Sequence, residues 1–121
     1  MKSRSFEDLI VWQKAHALTV ATYRLSAAFP RHEIFGLSAQ MRRSAASVPA
    51  NIAEGFIRKS NADKLRIYNI AQGSLEETRY YLLLARDLEY SDPSAVLNAA
   101  AEVGRLLRGY MTGLERGSTS Y

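Results

Sequence analysis

The sequence contains no cysteine, only three prolines and no long run of apolar residues. Without cysteine there are no disulfides and no thiolate metal sites, which suits a reducing compartment. The longest apolar run, 80–85, is far shorter than the roughly 20 residues of a membrane-spanning helix. The N-terminus reaches Glu7 and Asp8 before any apolar run, unlike a secretory signal. We therefore expect a soluble cytoplasmic protein that does not associate with a membrane.

The chain also lacks a recognisable catalytic or metal-binding set. Its two histidines, His16 and His32, lie far apart, and no histidine or carboxylate pair has metal-site spacing with a third ligand. Ser74 and Glu77 are spaced like a nucleophile and its base, but they have no third partner, which favours a structural role. We expect a protein that is not an enzyme and uses neither a cofactor nor a metal.

What the sequence does contain is helical periodicity. Apolar residues make up 47% of the 121 residues, and they recur at steps of three and four in four successive segments, without the alternation of a strand. The segments predict helices at roughly 6–29, 34–58, 61–89 and 93–115. Because the connections are short, sequential helices should be antiparallel neighbours. The prediction is an all-α fold, an up-down-up-down antiparallel four-helix bundle, as a single domain over 1–121.

One proline lies inside the second predicted helix, in the stretch SVPANIAEG at 47–55. A proline in a helix interior costs about 3 kcal/mol, because it removes a hydrogen bond and clashes with the preceding turn. The apolar spacing nevertheless continues across it, from Val48 to Ile52. The sequence therefore predicts that Pro49 lies within the helix. A bend there either turns the following polar residues towards the third helix or is simply tolerated.

A row of polar residues borders the apolar face of this second helix, and the third predicted helix carries polar residues that face it. We define the polar seam by Gln40, Ser47, Asn51, Glu54, Ser74 and Glu77. One interpretation is a solvated edge; the other is a half-buried contact with another helix or subunit. In the second, Asn51 and Glu54 are shielded and hydrogen-bonded to Ser74, Glu77 or an arginine, because a buried unpaired carboxylate costs several kcal/mol.

Positive charge exceeds negative charge by four, with sixteen basic and twelve acidic residues, and twelve of the basic residues are arginine. Arginine forms bidentate contacts with phosphate. The candidate nucleic-acid contacts are Arg42, Arg43, Arg58 and Lys59. A second group consists of Arg105, Arg108 and Arg116, within one sector of the last helix.

Two alternatives compete with this interpretation of the basic residues and of the aromatic residues near them. The arginines can form ordinary surface ion pairs, as the spacing of Glu102 with Arg105 and of Glu76 with Arg79 suggests. Such pairs contribute only tenths of a kcal/mol. The aromatic residues that could stack on bases are Trp12, Tyr23, Tyr80 and Tyr81. Their helical spacing favours a place in the core instead.

Three segments carry a family resemblance: FEDLIVWQKA at 6–15, LSAQMRRSAASVPANIAEGFIR at 37–58 and IAQGSLEETRYYLLLARDL at 70–88. They resemble the four-helix bundle proteins encoded within intervening sequences of bacterial 23S ribosomal RNA genes. The chain is also similar to the accessory proteins of diversity-generating retroelements, which bind a reverse transcriptase and nucleic acid. The resemblance implies a bundle that assembles into a ring, typically a homopentamer, and implies no enzymatic activity.

Two functions remain open at this point. The first is a non-enzymatic oligomer that binds RNA or DNA through the basic surface of a ring. The second is a protein-interaction scaffold or accessory subunit that recruits a protein partner without binding nucleic acid. Salt-dependent binding to nucleic acid favours the first, because phosphate contacts release counterions. Salt-insensitive binding, or none, favours the second.

Overall fold

Four α-helices form most of the computed structural model, which describes residues 3–117. Helix α1 is Ile10–Ser26, α2 is Leu37–Phe56, α3 is Asn61–Asp87 and α4 is Ser94–Glu115, with short 3-10 helices at Phe6–Asp8 and Arg31–Glu33. Each helix packs against the next, and α4 closes the bundle against α1. The predicted all-α, up-down-up-down four-helix bundle is confirmed. Residues 1, 2 and 118–121 of the predicted domain lie outside the described residues.

The first predicted helix is divided into two parts. Ser5 and Asp8 form a capping box around the 3-10 helix Phe6–Asp8, and the Asp8 carboxylate accepts a hydrogen bond from the Ser5 amide at 3.3 Å. Leu9 then adopts an extended conformation and is buried, and the α-helix begins only at Ile10. The capping box therefore starts a short turn that places Leu9 in the core, and α1 starts later than the spacing predicts.

The core forms where the apolar faces of the four helices meet. Its largest fully buried apolar side chains are Leu9, Leu18, Met41, Ile52, Tyr68, Leu82 and Leu107. Full burial of a leucine, isoleucine or methionine contributes about 1.5–3 kcal/mol. Most of these positions belong to the stripes that the sequence predicts, so the periodicity identifies the buried face of each helix correctly.

The contact between helices α2 and α3 is more extensive than that of α2 with any other element. At one point of this contact, a Cβ atom on Gly55 would lie only 2.5 Å from Cε1 of Tyr68. The ring of Tyr68 is buried there, and this burial raises the pKa of its phenol to about 12. A residue without a side chain is therefore required at position 55 for the two helices to approach this closely.

Helix α2 continues through Pro49, as the sequence predicts. Because proline has no N–H, the carbonyl of Ala45 lacks its helical donor. The hydroxyl of Thr19 in α1 lies 3.0 Å from that carbonyl oxygen and 2.9 Å from the Ala15 carbonyl of its own helix. Thr19 thus offers the donor that Pro49 removes, and it ties α1 to the middle of α2.

Replacing Thr19 by valine tests this role, because valine keeps the shape of the side chain and removes the hydroxyl. We expect the free energy of unfolding to fall by about 1–2 kcal/mol, since the buried Ala45 carbonyl loses its partner. In a Pro49→Ala background, the new amide can donate to Ala45, so Thr19→Val should cost less there. Urea unfolding of the four proteins measures the coupling. Equal costs in both backgrounds would show that Thr19 does not replace the missing amide.

Candidate functional site

The side chain of Arg42 turns towards α1 and binds its C-terminal turn. Its Nε donates to the Ser26 hydroxyl at 2.8 Å, and its Nη2 donates to the Tyr23 carbonyl at 3.1 Å. The guanidinium also lies 4.9 Å from the centre of the Tyr23 ring, a cation–π geometry. The last carbonyls of a helix lack internal partners and carry partial negative charge, so a cation there is stabilising. Arg42 therefore acts as a tie between α1 and α2.

The other three candidate contacts have different surroundings. Arg43 is exposed, and its Nη1 makes only a long 3.4 Å contact with the side-chain oxygen of Gln40. Arg58 lies just after the end of α2 and pairs with Glu54 at 2.6 Å. Lys59, next to it, is exposed. Of the four candidates, Arg43 and Lys59 are thus the two that are exposed and form no ion pair.

The four candidates do not form one cluster. Position 43 and positions 58–59 are separated by most of the length of α2, on the order of 20 Å at 1.5 Å per residue. Arg42 is next to Arg43 in sequence, but its side chain is held against α1. The sequence places all four on or beside one helix, and the structure separates them into a structural arginine, a lone exposed arginine and a basic pair at the far end.

Part of the polar seam is a real contact between helices α2 and α3. The hydroxyls of Ser47 and Ser74 lie 2.8 Å apart. Asn51 is half-buried, and its Nδ2 donates to the Ser47 hydroxyl at 2.9 Å and to the Ser47 carbonyl at 2.8 Å. These three residues satisfy one another, which is the condition for placing polar groups between helices. Asn51 reaches Ser74 only through Ser47.

The remaining seam residues face solvent in the single chain. Gln40 and Glu77 are exposed, and Glu77 accepts a hydrogen bond from the Tyr81 phenol at 2.9 Å. The expected shielding of Glu54 is not found within the chain, because its side chain is 46% exposed and bends along α2 to Arg58. The Glu77 hydrogen bond raises the pKa of Tyr81 above its ordinary value, while the charge of Arg43 opposes the shift.

A second pair of hydroxyls extends the contact beyond the residues that define the seam. Ser44 and Thr78 are both buried, and their hydroxyls lie 2.8 Å apart. Thr78 also donates to the Ser74 carbonyl of its own helix at 2.9 Å. Ser44 precedes Ser47 by three residues and therefore lies on the same face of α2. Thr78 lies in the apolar stripe of α3, so the sequence does not indicate that its hydroxyl contacts α2.

The aromatic residues considered as stacking platforms are only partly in the core. Trp12 is half-buried and stacks on the exposed ring of His16, with centroids 5.2 Å apart and planes 2° from parallel. Tyr81 is half-buried as well. Tyr23 and Tyr80 are exposed, so the expectation of a core position is wrong for these two. Arg42 covers one side of the Tyr23 ring, which explains that residue's position without a ligand.

The second arginine group, on α4, is less paired than the sequence spacing suggests. Glu102 pairs with Lys14 of α1 at 3.5 Å, and not with Arg105. Within residues 3–117, neither Arg105 nor Arg108 forms an ion pair, and both are exposed. The Glu76–Arg79 pair does form, at 2.8 Å. Arg116 lies beyond the end of α4.

Across the described part of the chain, no three histidine, aspartate or glutamate side chains come together as a metal site requires. The described helices also include none that combines the length and the apolar character needed to cross a membrane. The arrangement in residues 3–117 thus consists of a hydroxyl contact between α2 and α3 and of separate exposed cations on several faces.

Comparison with known proteins gives a family and a solved neighbour. The family model described as 23S rRNA-intervening sequence protein matches residues 7–109. A crystal structure from Bacteroides thetaiotaomicron, described as a protein with unknown function from the S23 ribosomal protein family, superposes with a TM-score of 0.78. The two sequences are 28% identical, and the match covers 85% of this chain and 96% of the other. Among curated proteins, none matches this chain.

Replacing Arg42 by glutamine should destabilise the bundle, because both hydrogen bonds to the end of α1 are lost. Hydrogen bonds to charged groups contribute about 1.5–3 kcal/mol, and partial exposure places Arg42 near the lower value. Arg43→Gln is the matched control, and it should change the free energy of unfolding by no more than about 0.5 kcal/mol. Urea unfolding measures both. If the two variants are equally stable, Arg42 does not hold α1 and remains available as a surface cation.

Proposed function

Because this chain belongs to the 23S rRNA-intervening sequence protein family, we propose that it is a cytoplasmic, non-enzymatic subunit of a homo-oligomer that binds RNA or DNA. The binding is electrostatic and independent of sequence. Phosphate contacts of this kind position a protein on a nucleic acid without reading its bases. Of the predicted contacts, three remain candidates: Arg43, Arg58 and Lys59. Arg42 is no longer a candidate, because its side chain is hydrogen-bonded to α1.

The observation that carries this proposal is the set of exposed cations without carboxylate partners. Among residues 3–117, eight exposed cations form no ion pair: Arg4, Arg24, Arg31, Arg43, Lys59, Arg105, Arg108 and Arg116. An exposed cation that is not neutralised within its own chain is free to replace the counterions condensed on a phosphate backbone. The ion pairs that do form use other cations, so the excess charge of the chain is left on its surface.

Assembly strengthens this effect. The family resemblance implies a ring of five subunits, and each subunit contributes a net charge of +4. Weak sites that are held in one assembly act together on one polyanion, so the overall affinity exceeds that of a single site. The proposed homopentamer therefore explains how a chain with a modest net charge binds nucleic acid at all.

The proposal predicts salt-sensitive binding. In fluorescence anisotropy with a labelled DNA duplex, log affinity should fall linearly with log salt between about 50 and 200 mM, with a slope of about −0.9 per phosphate neutralised. Arg43→Gln combined with Lys59→Gln should flatten this slope without changing the unfolding midpoint, since both side chains are exposed.

The control for this pair is Arg66→Gln combined with Arg86→Gln, which removes the same charge from two exposed arginines that already pair with Asp63 and Asp87. The control should keep the wild-type slope. A flattening of equal size in both double variants would mean that net charge alone matters. Absence of any binding by the wild-type assembly would overturn the proposed function.

A second candidate, a protein-interaction scaffold, is favoured by the apolar residues exposed at the ends of the bundle. Phe35 is 94% exposed in the connection between α1 and α2, and Ile34 beside it is 53% exposed. Leu88, just after α3, lies at the same end and is 45% exposed. Aromatic residues anchor many interfaces, where burial of one side chain contributes several kcal/mol. These residues are suited to contact a neighbouring subunit or a protein partner.

Replacing Phe35 by serine should weaken the assembly and leave the fold of each subunit intact. The side chain is almost fully exposed in the single chain, so its removal costs the bundle little stability. Multi-angle light scattering across a dilution series should show dissociation at a higher protein concentration than for the wild type. Leu88→Ser provides the comparison at the same end of the bundle. An unchanged assembly in the Phe35 variant would place the subunit contact elsewhere.

A further inference from the structure

A shallow groove runs along the outside of the bundle between α3 and α4. It consists of two adjoining cavities of about 430 and 260 Å³. Both cavities are lined by Leu75, Glu76, Gly104 and Arg108, so they form one continuous depression. The larger one extends towards the amides of Asn69 and Gln72, and the smaller one towards Arg79 and Arg105.

The groove is long enough for a segment of nucleic-acid backbone. On α3 its lining spans positions 69–79, and on α4 it spans 100–108. At 1.5 Å of rise per residue, these stretches are about 12–15 Å long. One strand of a duplex carries a phosphate every 3.4 Å or so of helix axis, so several phosphates fall within this length.

The charges in the groove favour an anion. Arg105 and Arg108 belong to adjacent turns of α4, where residues three apart are neighbours on the helix surface. Neither arginine forms an ion pair within residues 3–117. Glu102, the acidic residue nearest to them in sequence, pairs with Lys14 of α1 instead. The acidic residue in the lining, Glu76, is already paired with Arg79. The two free guanidinium groups therefore set the charge of the groove.

The two glycines of the lining have different surroundings. The guanidinium of Arg108 lies over Gly104, with Nη1 only 3.3 Å from where a Cβ would stand. A side chain at position 104 would push Arg108 outwards. At Gly73, on the opposite wall, a Cβ would meet no atom within 4 Å. The wall at Gly73 is therefore open to a ligand, and Arg108, which lies close to Gly104, can make bidentate contact with a phosphate in the groove.

We propose that the groove between α3 and α4 is the main nucleic-acid binding track of each subunit. Arg105 and Arg108 donate hydrogen bonds to phosphate oxygens, and the phosphodiester chain passes along the open wall at Gly73. This inference rests on the proposed function and adds a location to it. An acidic protein segment is the competing ligand for two arginines, but the length of the groove and its open wall at Gly73 fit a regularly charged backbone better.

The test uses the full-length assembly and a labelled DNA duplex. Arg105→Gln combined with Arg108→Gln should flatten the log–log salt slope by about 1.8, the value for two phosphate contacts. Gly73→Glu adds a carboxylate to the groove without a steric clash and should weaken binding several-fold at low salt. The matched controls are Arg66→Gln with Arg86→Gln, two ion-paired arginines outside the groove, and Ala17→Glu on the exposed face of α1. Both controls should bind like the wild type.

The outcomes separate this inference from the proposed function. If the wild-type assembly binds the duplex and both groove variants keep its slope and affinity, the function stands and the groove is not its site. If the groove variants dissociate in light scattering, the groove is a subunit contact, and the inference is overturned. A polyglutamate probe provides a further check. If the arginine variant loses binding to polyglutamate and keeps binding to DNA, the groove takes an acidic protein partner instead.

Discussion

The carbonyl of Ala45 has no helical donor, because Pro49 stands four residues later in α2. Thr19 can donate to that carbonyl only when α1 lies close to the middle of α2. On its other side, α2 presents Ser44 and Ser47 to hydroxyls of α3. Helix α2 is therefore held on two sides by specific polar contacts. Apolar packing supplies most of the stability. The polar contacts fix the position of α2 along its two neighbouring helices.

The helices and the internal position of Pro49 could be predicted from the sequence, because apolar periodicity records which face of a segment is buried. The start of α2 could not. The carboxylate of Glu33 accepts the Leu37 amide at 3.1 Å, which lowers the pKa of Glu33, and it accepts the Tyr90 phenol at 2.8 Å. Tyr90 comes from the connection between α3 and α4. A helix start that depends on a residue so distant in sequence has no local signal.

The candidate site was less predictable than the fold, because spacing within a helix does not identify the partner on another helix. Arg42 and Arg43 are adjacent in sequence, yet one binds the end of α1 and the other faces solvent. Glu102 has a suitable arginine three residues later but pairs with a lysine of α1. Helical spacing contributes only tenths of a kcal/mol to such pairs. Small differences in tertiary geometry therefore decide which charges are neutralised.

The residues that hold the bundle and the cations on its surface form nearly separate sets. Thr19, the serines of α2 and the apolar core are uncharged and shielded, so salt has little effect on their contacts. Exposed arginines interact over a Debye length of about 10 Å at 0.1 M salt and are screened beyond it. Arg42 and Lys64 are exceptions, cations used in the fold, since Arg42 binds the end of α1 and Lys64 donates to the Gly55 and Phe56 carbonyls at the end of α2. With α2 bound to α1 and α3, Ser44, Ser47 and Asn51 are occupied by folding contacts. Exposed cations without an ion pair lie on other faces of the bundle. Two of them, Arg105 and Arg108 of α4, lie beside a groove that no side chain of the described residues fills.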